Sequence, residues 1–184
     1  MFKRVLGIIV VASCIIPPGI AAAQERVPYT GSVAVGVDAG AFIPRDDQLD
    51  LAPVVNVLLE YYMTPRVSLR TGFGITNPSF ARESSDSLRQ IPLRVDLNYN
   101  WERGRWHPFV GTGVGAYFIQ PRDNGASIGG RETKVGFNLG GGAEYFTGRT
   151  VSLKGEGRYH MIDRVAGGQD PSGLVLTAGL KKYW

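Results

Sequence analysis

The residues best suited to chemistry are few. His160 follows Arg158 by two positions and Glu156 by four, which puts all three on one face of an extended strand. A histidine beside a carboxylate can orient and activate a nucleophilic hydroxyl. The same side chains also suit an ion-pair network in a closed interior, and Met161, Ile162 and Asp163 supply no nucleophile next to the histidine. The network is the preferred reading. Gly111-x-Gly113-x-Gly115 has the look of a nucleotide loop, but a period of two places all three glycines on one strand face, where small residues make room for large neighbours. His107 and His160 are the only histidines, and no carboxylate cluster has metal-ligand spacing. Neither a metal nor another cofactor is expected, and no catalytic residue is assigned. Arg45, Arg82, Arg122, Arg131 and Arg164 fall in or near polar segments. There they could grip phosphates, or simply be solvated.

All of these residues have to be positioned by β-structure. Past Gln24 no 3.6-residue periodicity is sustained, whereas alternation of period two recurs down the chain. It predicts strands at 31–42, 52–63, 66–76, 88–101, 106–119, 132–146, 150–162 and 173–184. Thr64-Pro65-Arg66, Glu102-Arg103-Gly104-Arg105 and Thr147-Gly148-Arg149 read as tight turns, and 43–51, 77–87, 120–131 and 163–172 as long polar loops. Connections that alternate long and short belong to an up-and-down barrel with its short turns at one end. A sandwich or Greek key has no reason to produce that order. Composition agrees: 43% of residues are hydrophobic, 20% are charged and 25 are glycine. A mean hydropathy of -0.05 excludes a bundle of membrane helices. A membrane barrel is compatible with it, because alternating faces average to near neutrality.

The first residues read as a targeting signal. Lys3 and Arg4 precede an apolar run from Val5 to Ile16, broken by Pro17, Pro18 and Gly19, and Ala21-Ala22-Ala23 suits signal peptidase. The run is short for a membrane helix. Residues 1–23 are therefore expected to be a cleaved signal peptide and 24–184 the barrel domain. Val11-Ala12-Ser13-Cys14 resembles a lipidation site, but the apolar stretch continues past it. Cleavage after Ala23 removes the only cysteine. It also removes Lys3 and Arg4, taking the formal charge from +4 to +2. That balance is too small to announce a nucleic-acid partner.

One face of the strands is apolar, with runs such as Val55, Val57, Leu59, Tyr61 and Val135, Phe137, Leu139. The other holds five acids, Asp38, Glu60, Asp96, Glu144 and Glu156, and five bases, Arg70, Arg94, Lys154, Arg158 and Lys181. Asn56, Asn98, Asn138 and His160 join them. An even balance suits a closed lumen, where charges must pair to offset desolvation. Aromatics gather beside the short turns: Tyr61, Tyr62, Tyr99, Trp101, Trp106, Tyr145, Phe146, Tyr183 and Trp184. They are expected to form one interfacial belt. The fold class is thus all-β: an eight-stranded antiparallel up-and-down transmembrane β-barrel with its polar face inward. A soluble lipocalin-like ligand-binding barrel, apolar face inward, is the alternative.

With these features the chain resembles the small bacterial outer-membrane β-barrel family that includes outer-membrane protein X, the Ail-type adhesins and the membrane domain of outer-membrane protein A. The resemblance covers the mature chain. It rests on the strand–turn rhythm, on Trp106-His107-Pro108-Phe109-Val110-Gly111-Thr112-Gly113-Val114-Gly115 and on the closing Gly179-Leu180-Lys181-Lys182-Tyr183-Trp184. It implies a monomer in the outer membrane, with outer-membrane lipid and lipopolysaccharide as surroundings and periplasmic chaperones in transit. It also implies a last strand read by the barrel-assembly machinery, a signal that Leu176, Ala178, Leu180 and Trp184 match. Lys182 departs from that pattern, standing where an apolar residue is usual. The His-x-Ser-Asn signature of outer-membrane lipid A deacylases is missing at His160. Such families host adhesins, enzymes and barrels of no known activity, so the fold does not settle the function. The expected role is non-enzymatic, structural or surface-interacting through the long loops. A narrow pore for small solutes is the alternative.

Overall fold

A strand that alternates apolar and polar residues buries only one face, and its backbone groups need partners along both edges. Closing the sheet on itself satisfies every edge. In the computed structural model, which describes residues 28–80, 83–127, 129–165 and 168–184, with 83–85 as backbone alone, the chain does this. Ten strands follow in order: β1 (Val33–Pro44), β2 (Ala52–Tyr62), β3 (Val67–Thr76), β4 (Ser79–Phe80), β5 (Glu83–Asn100), β6 (Trp106–Asp123), β7 (Ala126–Ser127), β8 (Glu132–Phe146), β9 (Val151–Ile162) and β10 (Gly173–Tyr183). Eight of them form the wall. Each pairs antiparallel with its neighbours around the ring β1-β2-β3-β5-β6-β8-β9-β10, and β1 closes on β10. The expected signal peptide, Cys14 and Arg82 lie outside the described residues.

Two strands outrun the alternation that predicts them. β5 begins at Glu83 rather than 88, and β6 continues to Asp123 rather than 119. Their extensions pair Asp86 with Asp123 and Ser87 with Arg122. A backbone ladder needs no apolar face, so this polar stretch left no hydrophobic signal. The two-residue β4 and β7 fold back onto these extensions. Between β6 and β7, Asn124 (φ 46°) and Gly125 (φ 78°) make the tight positive-φ turn that an Asn-Gly pair favours.

The face assignment is plain in the burial. β2 alternates buried and exposed without a break, with Val55, Val57, Leu59 and Tyr61 outward. The ten charged residues of the inner face point into the barrel, and a lipocalin-type apolar interior is absent. The interior has three levels. At the short-turn end, Ala34, Tyr62, Phe146 and Tyr183 form an apolar and aromatic stopper. Charges fill the middle. At the loop end, Leu49, Leu88, Tyr117, Ile119, Ile162 and Val165 form a cap against which Phe80 packs.

The aromatic belt is a partial correction. Tyr61, Tyr99, Trp101, Trp106 and Trp184 are exposed outward, but Tyr62, Phe146 and Tyr183 are buried inside. Neighbours in a strand face opposite ways, so a cluster of aromatics at a strand end divides between belt and stopper.

Candidate functional site

The inner face assembles a single chain of charges. Glu60 on β2 accepts from Lys181 Nζ of β10 at 2.5 Å and from Arg70 Nε of β3 at 3.1 Å. Lys181 also donates to Glu144 on β8 at 2.5 Å. Ser152 donates to the same carboxylate at 3.0 Å, and the Tyr183 hydroxyl donates to it as well. Glu156 on β9 is the hub, pairing with Arg70 (2.9 Å), Lys154 (2.7 Å) and Arg158 (2.6 Å). Lys154 continues to Asp38 at 2.5 Å, and Asp38 accepts from Asn56 at 2.6 Å. Arg158 leads the other way to Asp96 at 3.6 Å, and Asp96 to Arg94 at 4.0 Å. All ten predicted lumen residues are thereby linked across the barrel. The asparagines fill in: Asn138 Oδ1 accepts from Arg158 Nη1 at 2.5 Å and Asn98 Oδ1 from Nη2 at 3.3 Å.

Removing a charge from water costs several kcal/mol, and only close opposite partners offset it. Here five acids and five bases do so collectively. Arg70 adds a cation–π contact, its guanidinium carbon 5.0 Å from the Phe109 ring centroid. The β6 glycines give the long side chains room. A Cβ on Gly113 would lie 2.3 Å from Asp96 Oδ1.

His160 takes no part in a nucleophilic set. Its Nδ1 lies 2.7 Å from the Tyr117 hydroxyl, and the Glu156 oxygens go to cations rather than to the imidazole. Above the network a cavity of about 20 Å³ is lined by Arg94, His160, Tyr117, Gln90 and Thr76 among others. That is room for a water molecule. His160 Nε2 and Arg94 Nε are buried there without a protein partner. Among the described residues no three His, Cys, Asp or Glu side chains are grouped to hold a metal ion.

Two of the loop arginines are engaged locally. Arg45 pairs with Asp170 at 3.7 Å, and Arg122 donates to the Gly125 carbonyl of its own hairpin. Burial alone would raise the Asp170 carboxyl, but hydrogen bonds from Ser172 and the nearby Arg45 and Arg164 hold it below the ordinary carboxylate range. Asp46 accepts from the Asp170 amide at 3.0 Å, tying the first and last long loops together. On β10, Leu176, Ala178, Leu180 and Lys182 face outward, as does Trp184 just past its end. Sequence reasoning passed over Tyr62, Tyr117, Tyr183 and His107 as lumen residues. Strict parity was the signal that would have placed them inside.

A closed ring of eight tilted strands with an apolar exterior and a charged, occluded interior defines a transmembrane barrel of the smallest size. The chain belongs to the family of outer membrane protein β-barrel domains, whose family model matches residues 7–181. It is a protein of the bacterial outer membrane. No curated protein matches the sequence. Among solved structures, Neisserial surface protein A superposes with a TM-score of 0.71 at 15% identity, covering 83% of this chain and 98% of that one. OprG of Pseudomonas aeruginosa gives 0.64 at 12% identity, with 85% and 97% covered. Ail of Yersinia pestis, the attachment invasion locus protein, gives 0.59 at 12%, with 84% and 99% covered. At these identities the likeness is one of fold.

Proposed function

We propose that this protein is a non-enzymatic outer-membrane barrel, closed to solutes, which reinforces the envelope and meets its surroundings through the long loops. The occluded lumen carries this reading. Between the aromatic stopper and the apolar cap, the ten-residue charge network crosses from wall to wall, and an eight-stranded barrel has little space beyond its own side chains. His160 is engaged with Tyr117 and Glu156 with cations, so these two do not form a pair that activates a nucleophile.

Ail has been seen with a heparin analogue, sucrose octasulfate. Here Arg45 and Arg122 are engaged within the loops, and nine acids outnumber seven bases in segments 45–51, 77–89, 120–134 and 163–172. Loop contacts of mixed charge therefore fit this chain better than capture of a polyanion. We further propose that Leu176, Ala178, Leu180 and Trp184 serve as the assembly signal on β10, supported by their shared outward face. Recording from the purified protein in planar bilayers tests the closed barrel. No stable large conductance is expected, and a sustained one would overturn the reading.

A further inference from the structure

The two rims of the barrel differ in charge. The loop rim is net acidic by the count above. Among the described residues, the short-turn rim carries five cationic side chains and one acidic side chain: Arg66, Arg103, Arg105, Arg149 and Lys182 against Glu102. Arg66 lies in the β2–β3 turn, Arg103 and Arg105 in the β5–β6 turn, and Arg149 in the β8–β9 turn. Lys182 stands where β10 meets β1. These are the four junctions at that end, spaced two strands apart around the ring. All five cations are exposed.

Just inside this ring of charge lies the outward aromatic belt. Trp101, Trp106 and Trp184, the only three tryptophans of the chain, all belong to it, with Tyr61 and Tyr99. Lys182 belongs to both zones. It leaves the wall between Leu180 and Trp184, and its ammonium donates to Thr150 Oγ1 at 2.7 Å in the β8–β9 turn. The stem thus follows the apolar wall while the charge reaches the rim, which is how lysine behaves at a membrane surface. The residue that departs from the assembly pattern thus carries its charge to the rim.

We propose that the short-turn rim is a collar that binds the phosphates of anionic glycerophospholipids in the surrounding leaflet. Arginine and lysine suit phosphate oxygens as charge-assisted donors, and the aromatic rings below them suit the glycerol and upper acyl region. The even spacing selects the partner. A protein would dock on one side, whereas lipid alone meets the barrel at all four junctions. A cation at an anionic membrane surface strengthens association by about five-fold.

Because every tryptophan lies at this rim, fluorescence quenching reads it directly. The purified full-length protein is reconstituted in bilayers mixing an unlabelled lipid with either brominated phosphatidylglycerol or brominated phosphatidylcholine. Phosphatidylglycerol should compete for the rim about three- to five-fold better, an advantage that fades at high salt. The combined variant Arg66→Gln, Arg103→Gln, Arg105→Gln, Lys182→Gln should bring the ratio to about one. Lys182→Gln alone should give a smaller fall in the same direction, and serves if the combined variant fails to fold. Each variant is first checked for the heat-dependent electrophoretic shift of a folded barrel. Arg45→Gln, Arg122→Gln, Arg131→Gln at the loop rim should leave the ratio unchanged. A native ratio near one, an unaltered ratio in the turn variants, or an equal fall in the loop variant would overturn the proposal.

Discussion

The two halves of the lumen carry the same kinds of side chain but bind them very differently. Toward the short turns, Lys181 sits between Glu60 and Glu144 at 2.5 Å from each, and Ser68, Ser152 and Tyr183 donate to the same two carboxylates. Toward the loops, Asp96 meets Arg158 only at 3.6 Å and Arg94 at 4.0 Å, beside a cavity and the unpartnered His160 Nε2. Tight pairing goes with strands joined by short turns, which hold their ends in register. Looser pairing lies nearer the loops, although the backbone ladders there continue unbroken, as between β5 and β6 out to Asp86 and Asp123. The difference teaches that equal numbers of opposite charges do not make equal contributions. Distance and the number of additional donors decide.

Substitutions can break that contrast. Lys181→Met leaves two buried carboxylates facing each other without their shared cation. It should lower stability by about 3–5 kcal/mol, as expected for one partner removed from a buried pair. Urea unfolding of the refolded protein in lipid measures this. Tyr183→Phe keeps the ring of the stopper but takes one donor from Glu144, and should cost about 1–3 kcal/mol in the same assay. Arg94→Met removes a cation whose nearest acid is 4.0 Å away. Arg94 is buried, so removing it also relieves a desolvation cost that this distant pair does little to offset, and the change should stay within about 1 kcal/mol of neutral. If Arg94→Met proves as damaging as Lys181→Met, the two halves are equivalent and the contrast fails.

The smallest effect concerns the clasp between the first and last loops. The Asp170 carboxyl titrates below its ordinary value of 3.8 in the folded protein. A lowered folded-state value means that the clasp contributes stability above the unfolded value and loses it as pH falls through the folded one. After correction for the intrinsic pH dependence of exchange, protection of the amides within residues 168–172 should therefore fall only in strong acid, and Asp170→Asn should abolish that fall. Protection already lost near neutral pH would assign the loop motion to another group.

Much of the wall could be read from the residues because the alternation of a strand is local. Val55, Val57 and Leu59 face one way, and Asn56 and Glu60 the other, whatever surrounds them. The misreadings share a physical cause. Proximity to a turn points Tyr62, Phe146 and Tyr183 to the belt, whereas their parity puts them inside. The extensions of β5 and β6 carry polar residues on both faces, so their pairing left no apolar signal.

The sequence by itself determined the eight-stranded wall, the long and short order of its connections and the set of ten charges turned to one face, since each follows from a period of two and from local turn chemistry. Only the tertiary structure decided which charge meets which. Glu60 and Lys181 are 121 residues apart, and Lys154 and Asp38 are 116. Their meeting depends on closure of β1 against β10 in one register and on side chains long enough to cross the lumen. Those are properties of the ring as a whole, and no local stretch of residues contains them.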